Sequence, residues 1–317
     1  MPASFPVRVV GLLMAIAWAC APICLAQQPA LQRRFAAPSQ ERFEVTIRVK
    51  AESHSVTTET VARQTYVTPI LHEAEASLRW QASRNVTSVR PDGSAEIEEI
   101  VAPATQECVG NSRPEGKRDE ALEKSLNDLC AFWSREVSLR YFETAKGLLQ
   151  DASRSTNDLP PLGESAPALL TLWLRRAVRP NVIFPALDFE VGAKSQKALR
   201  PSTERFSNAN GSETTEWLDA QGETPAATLH VVQQLTWKES PERAEPGGGR
   251  ETAKTPKNET FFADSLTTLS LLDGSVLRAT RTASRSITNK VDAVPGLPQP
   301  PDFSSKLTVS ITIERLP

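Results

Sequence analysis

Apolar and polar residues alternate one for one over long stretches of this 317-residue chain, and that period confines most of it to β-strands. Phe43, Val45, Ile47 and Val49 are interleaved with Glu44, Thr46, Arg48 and Lys50. Leu307, Val309, Ile311 and Ile313 alternate with Thr308, Ser310, Thr312 and Glu314 in the same way. Successive side chains of a strand point to opposite faces, so each segment offers one apolar face to a core and one polar face to water. A slip of one residue would turn the apolar set outwards, which makes the pairing register well specified.

The signal recurs along the chain. Thr57 to Thr68, rich in Thr and Val, reads as a strand, and 78–102 reads as a hairpin turning at Pro91-Asp92-Gly93. Pro103 to Lys117 reads as a loop. Val137, Leu139 and Tyr141 alternate again before a turn at Lys146-Gly147. Further strands are expected at 192–206, 214–220 and 226–238, with a second hairpin at 261–287 around Asp273-Gly274. The period changes twice. Leu122, Leu126 and Leu129 predict a short helix over 118–131, and Ser165 can cap an apolar helix over 165–179 that Pro180 ends. The expected fold is mainly β: a long curved antiparallel sheet or half-barrel, built from two similar β-meander units with one or two short helices. The units are 42–152 and 191–317, joined by a connector and apolar helix at 153–190, with mobile stretches at 27–41 and 239–257.

Arg8 precedes an apolar run, Val9 to Ala26, that closes in Cys24-Leu25-Ala26. This pattern predicts a removed export signal over 1–26, cut near Ala26-Gln27, and a periplasmic or secreted protein with no transmembrane segment in the mature chain. Lipid anchoring at Cys20 is disfavoured because bulky Trp18 stands where a small residue belongs. Without Arg8, 35 of the 36 basic residues remain against 38 acidic ones, a near-neutral balance that lacks the electrostatic footprint of a nucleic-acid binder. Cleavage also leaves Cys108 and Cys130, most simply a disulfide in an exported chain; two free thiols or a metal pair are the alternatives.

The leader, the hairpin around Asp92-Gly93-Ser94-Ala95, the strand-Gly-strand step at Gly147, the apolar helix and the Pro185…Val191-Gly192 step resemble a family of exported bacterial proteins and lipoproteins of unknown function. The resemblance implies a duplicated β-meander with a central helix and brings no catalytic residues. Ser195 stands where such proteins often carry Trp.

No catalytic motif emerges, so no enzymatic activity and no cofactor are expected. His54, His72 and His230 form no close ligand pair, no GxSxG elbow occurs, and Gly247 to Gly249 lacks the GKS/T of a phosphate loop. Glu96, Glu98 and Glu99 read as a solvated strand face, and His230 as a solvated strand residue. The helix around Trp173 is apolar over most of its circumference, more than a surface helix needs. It either plugs the sheet as core or walls an apolar groove lined by Leu170, Trp173, Leu174 and Phe184. The functional expectation is therefore a non-catalytic exported β-protein binding an apolar ligand or envelope component. The alternative is a structural or protein–protein interaction module of the cell envelope with no small-molecule ligand.

Overall fold

The computed structural model describes residues 31–61, 64–103, 105–109, 136–150, 178–199, 210–219, 225–238, 257–289 and 303–317. They form one antiparallel sheet of twelve strands: β1 (Ser39–Val61), β2 (Gln64–Val89), β3 (Ala95–Val101), β4 (Thr105–Val109), β5 (Val137–Glu143), β6 (Leu149–Gln150), β7 (Lys194–Leu199), β8 (Asn210–Asp219), β9 (Ala226–Lys238), β10 (Lys257–Ser270), β11 (Val276–Asn289) and β12 (Phe303–Leu316). The order is β6-β5-β3-β2-β1-β12-β11-β10-β9-β8-β7, with β4 beside β2. The first and last strands therefore meet in the middle, and the chain passes from one sheet edge to the other through residues 151–193.

The alternation identified in β1 and β12 holds. Phe43, Val45, Ile47 and Val49 are buried, as are Val309, Ile311 and Ile313, while Arg42, Arg48 and Lys50 are exposed. Val45 faces Ile313 and Ile47 faces Ile311, so the two cleanest patterns of the sequence pair with each other. Each fully buried side chain of this kind stabilises the fold by about 1.5–3 kcal/mol.

Several expectations are corrected. Thr57 to Thr68 is not one strand: Thr57 pairs with Thr68 across a hairpin whose last pair is Val61 and Gln64. The sequence between those two residues holds no Gly, Pro, Asn or Asp, so no turn residue marked the break. The expected loop at 103–117 contains β4, which extends the ladder on β2 from Glu75 to Arg79. The strand expected at 192–206 starts at Lys194, and its described part ends at Leu199. Both expected helices fall outside the described residues, except that Val178 and Arg179 lie in a turn. Among the described residues there is no helix, and none long and apolar enough to cross a membrane.

The sheet is strongly curled. The main-chain N–H of Arg33 donates to Ala145 O (2.9 Å), and that of the next residue, Arg34, to Asp273 O (2.8 Å). These acceptors belong to the β5–β6 and β10–β11 turns, and β5 and β11 stand five strand spacings apart in the sheet order. A flat sheet would separate them by about 24 Å. Two consecutive amides reach acceptors no more than about 10 Å apart. The register shifts at Val86/Ser88 and Thr268/Leu269, each just before a hairpin turn, help the strands bend. The residues that the sequence assigns to a flexible leader, 27–41, are described from 31: 39–41 open β1, and 31–38 run along the turn end of the curl with Arg33 buried. Their Gln, Arg and Ala composition gave no sign of this, because the attachment is made largely by main chain and one guanidinium, with Leu31 and Phe35 packing beside them.

Candidate functional site

The inner face of the curl is largely apolar, but charged side chains occupy core-facing positions at its turn end, and the Glu259–Arg285 pair does so towards the other end of β10 and β11. Arg84 shares the strand phase of Trp80, Ala82 and Val86; Glu41 that of Phe43; Glu99 that of Ile97; and Glu143 that of Tyr141. Arg281 follows Ala279 and precedes Ala283 in the same phase, and all five charges are buried. The expected solvated face of Glu96, Glu98 and Glu99 is corrected accordingly: Glu99 is 2% exposed, whereas Glu98 pairs outside with Arg140.

Arg84 is the centre of the cluster. Its guanidinium bonds Glu143, Glu41 (3.3 Å), the Tyr141 hydroxyl (3.2 Å) and the Pro180 carbonyl (3.0 Å). Burial works against its charge, but Glu143, Tyr141 and Glu41 outweigh it and hold its pKa well above the ordinary arginine value. Tyr141 donates to Glu99 at 2.6 Å. Burial raises the Tyr141 pKa well above 10, and the neighbouring Glu99 and Glu143 add to the shift against the opposing effect of Arg84. The phenol stays protonated and neutral. Arg33 bonds Glu41 at 2.5 Å, and Arg179 lies over the Tyr141 ring at 5.2 Å. The buried charges here are Arg33, Arg84, Arg179 and Arg281 against Glu41, Glu99 and Glu143. Carboxylates meet Arg33 and Arg84, and main-chain carbonyls of Arg179 and Asn181 meet Arg281, so the buried charge is held by shared partners.

The cluster fastens the segment 178–193, hereafter the strap, across the inner face. Arg84 on β2 holds Pro180 O, while Arg281 on β11 holds Arg179 O (3.3 Å) and Asn181 O (2.9 Å). Desolvation lowers the Arg281 pKa to about 10, so it remains charged at neutral pH. The β5–β6 turn receives the strap next: Phe184 N–H donates to Lys146 O (3.0 Å) and Asn181 Nδ2 to Gly147 O (3.4 Å). Gly147 has φ +74°, and a Cβ there would stand 1.6 Å from Val182 O, so only glycine admits the strap. The strap then reaches the opposite edge, where Gly192 N–H donates to Trp217 O (2.7 Å) and Phe189 meets the Trp217 ring edge-on at 5.2 Å.

Of the expected groove residues, Phe184 is buried in the main core cluster together with Val178. Leu170, Trp173 and Leu174 lie outside the described residues, as does Cys130; Cys108 lies in β4. His230, expected to be solvated, is half-buried and bonds Asp264 at 2.9 Å. Among the described residues no group of His, Cys, Asp or Glu could hold a metal ion. Sequence reasoning missed the charge cluster although part of its signal is there: Arg84, Glu99, Glu143 and Arg281 hold core-phase positions of their strands without breaking the period of two, whereas Arg33 and Arg179 lie outside the strands.

No protein-family model and no curated protein matches the chain. Solved structures with some likeness include Acinetobacter baumannii OccAB4, 7% identical over 88% of this chain and 99% of that one with a TM-score of 0.22. The InvG secretin β-barrel from Salmonella is 10% identical over 87% and 63%, with a TM-score of 0.15. Pseudomonas aeruginosa OccK7 is 9% identical over 89% and 100%, also with a TM-score of 0.15. Likenesses this low carry no structural argument. The polarity of the sheet speaks for itself: a membrane-spanning barrel turns apolar residues outwards, whereas this sheet turns Arg42, Arg48, Lys50 and Arg79 outwards and its apolar residues in.

Proposed function

We propose that the protein is an exported, non-catalytic β-protein that holds an apolar ligand or envelope component against the inner face of its sheet, in a groove covered by the helix expected over 165–179. Leu170, Trp173, Leu174 and Phe184 are the residues assigned to that contact. The observation carrying this reading is the strap: the sheet's two edges are joined by a segment fastened across the inner face, with Val178 and Phe184 sunk into its larger apolar cluster. A curved apolar surface with a covering segment is the architecture in which apolar ligands are held. The sheet edges fit partner pairing less well. β7 is short and carries Lys194 and Lys197, ion-paired to Glu216 and Glu213, and lysines on a short strand blunt an edge. Membership of the exported family of unknown function, the pairing of two similar meander units and a Cys108–Cys130 disulfide belong to the same proposal.

The second reading, an envelope interaction module without a ligand, draws on Phe262 and Leu266, both exposed on the outer face of β10. Native mass spectrometry with lipid extraction of protein purified from the envelope separates the two. A co-purifying apolar molecule that Trp173→Asp abolishes while the sheet stays folded supports the first. If no molecule ever co-purifies and Phe262→Lys abolishes capture of an envelope protein, the second stands.

A further inference from the structure

We propose that residues 31–35 form a releasable clasp, hung on Arg33, that closes the turn end of the curl and controls access to the inner face. This deepens the ligand-holding reading and rests on it for the purpose of opening. The clasp lies outside every strand, yet it bridges the β5–β6 and β10–β11 turns through the amides of Arg33 and Arg34. Leu31 packs against the larger apolar cluster and Phe35 against the smaller one, so the segment also joins two cores that are otherwise separate. It passes so close to the β10–β11 turn that a Cβ on Gly274 would stand 2.5 Å from Gln32 O. From Leu31 to Gln40 only Arg33 is buried.

That single anchor is built to let go. Breaking a buried ion pair is expensive when it strands a charge. Here Glu41, the partner of Arg33, also meets Arg84 Nη1 at 3.3 Å and Arg315 Nη1 at 3.9 Å, so it stays paired when Arg33 leaves. The second acid near Arg33, Asp273, is 4.0 Å away with a side chain 41% exposed. Arg33 Nη1 has no hydrogen-bond acceptor to lose. The strap differs on this point, since its carbonyls satisfy the buried guanidinium groups of Arg84 and Arg281. Of the two segments that close the interior, the clasp is the one whose release leaves no buried charge unpaired, so it should open below the energy of global unfolding.

Native-state amide exchange on the exported full chain reads this directly. The Arg33 and Arg34 amides should exchange at least ten-fold faster than those of Val45 to Val49 and Val309 to Ile313. Arg33→Ala should widen that gap a further ten-fold, open a tryptic site at Arg34, and speed uptake of a naphthylamine probe, with β1 and β12 protection unchanged. Exchange of Arg33 and Arg34 only with the whole sheet, in the wild-type chain, overturns the clasp. So does probe uptake that stays at the wild-type rate when exchange shows the segment released. A probe that no variant takes up overturns the ligand-holding reading instead, while the exchange pattern still decides whether the clasp opens.

Discussion

The Arg84 guanidinium meets two carboxylates, a phenol and a main-chain carbonyl inside an apolar face, and the consequences are specific. Arg84→Met keeps much of the volume but takes from the buried Glu143 its ion-pair partner, while Glu41 keeps Arg33, and should cost about 3–5 kcal/mol in urea unfolding. Adding Glu143→Leu should recover part of that loss, because removing both partners avoids the unpaired charge. Tyr141 makes a pH prediction. Its folded pKa lies above its unfolded value of 10, so the associated stability is complete below pH 10 and declines as the pH rises towards the folded pKa. In a Tyr66→Phe background, phenolate absorbance should appear only as the protein unfolds in alkali. Tyr141→Phe should flatten that alkaline decline, at a cost of about 1–3 kcal/mol at neutral pH for the lost bond to Glu99. An early phenolate signal from folded protein would contradict the burial of Tyr141.

The β5–β6 turn shows what one element contributes. Its carbonyls at Ala145, Lys146 and Gly147 accept from Arg33, Phe184 and Asn181, so two distant segments converge on one turn. Gly93, in the β2–β3 turn, has a similar φ of +78° but nothing within 4 Å of its missing Cβ. Gly93→Ala should therefore cost only backbone strain, about 1–2 kcal/mol. Gly147→Ala carries the same strain and must also displace Val182, so its urea midpoint should fall further and exchange at 181–184 should rise. Equal midpoints would mean that the strap yields without loss. Both turns were legible as turns from their glycines. That the strap crosses Gly147 was not, because main-chain contacts between segments 35 residues apart leave no mark on composition.

For the whole molecule, the expected Cys108–Cys130 bond would tie β4 to a segment outside the described residues. Thiol counting on denatured, unreduced exported protein should give about zero free thiols, and replacing both cysteines should lower the melting temperature. Two reactive thiols would reject the bond. The curl sets a second whole-molecule property, since it is maintained at the turn end by the clasp and strap in addition to strand pairing. Its opening should therefore be local there rather than spread along β1 and β12.

What this sequence by itself determined is whatever depends on near neighbours. Period-two alternation set strand identity and the apolar face, and Asp92-Gly93-Ser94 and Asp273-Gly274-Ser275 set two hairpin turns in which the Asp side chain accepts the Ser amide, at 2.9 and 3.0 Å. Even the buried charges were written in that period, as core-phase positions held by Arg84, Glu99 and Glu143. Only the tertiary structure decided that β1 pairs with β12, that the sheet curls until the β5–β6 and β10–β11 turns share a leader, and that Arg33 closes it. Those outcomes rest on contacts between residues 100 or more apart in the chain, such as Arg33 with Ala145 and Arg281 with Arg179. Such contacts form because curling buries the inner face, and no local pattern encodes which distant carbonyl each guanidinium will meet.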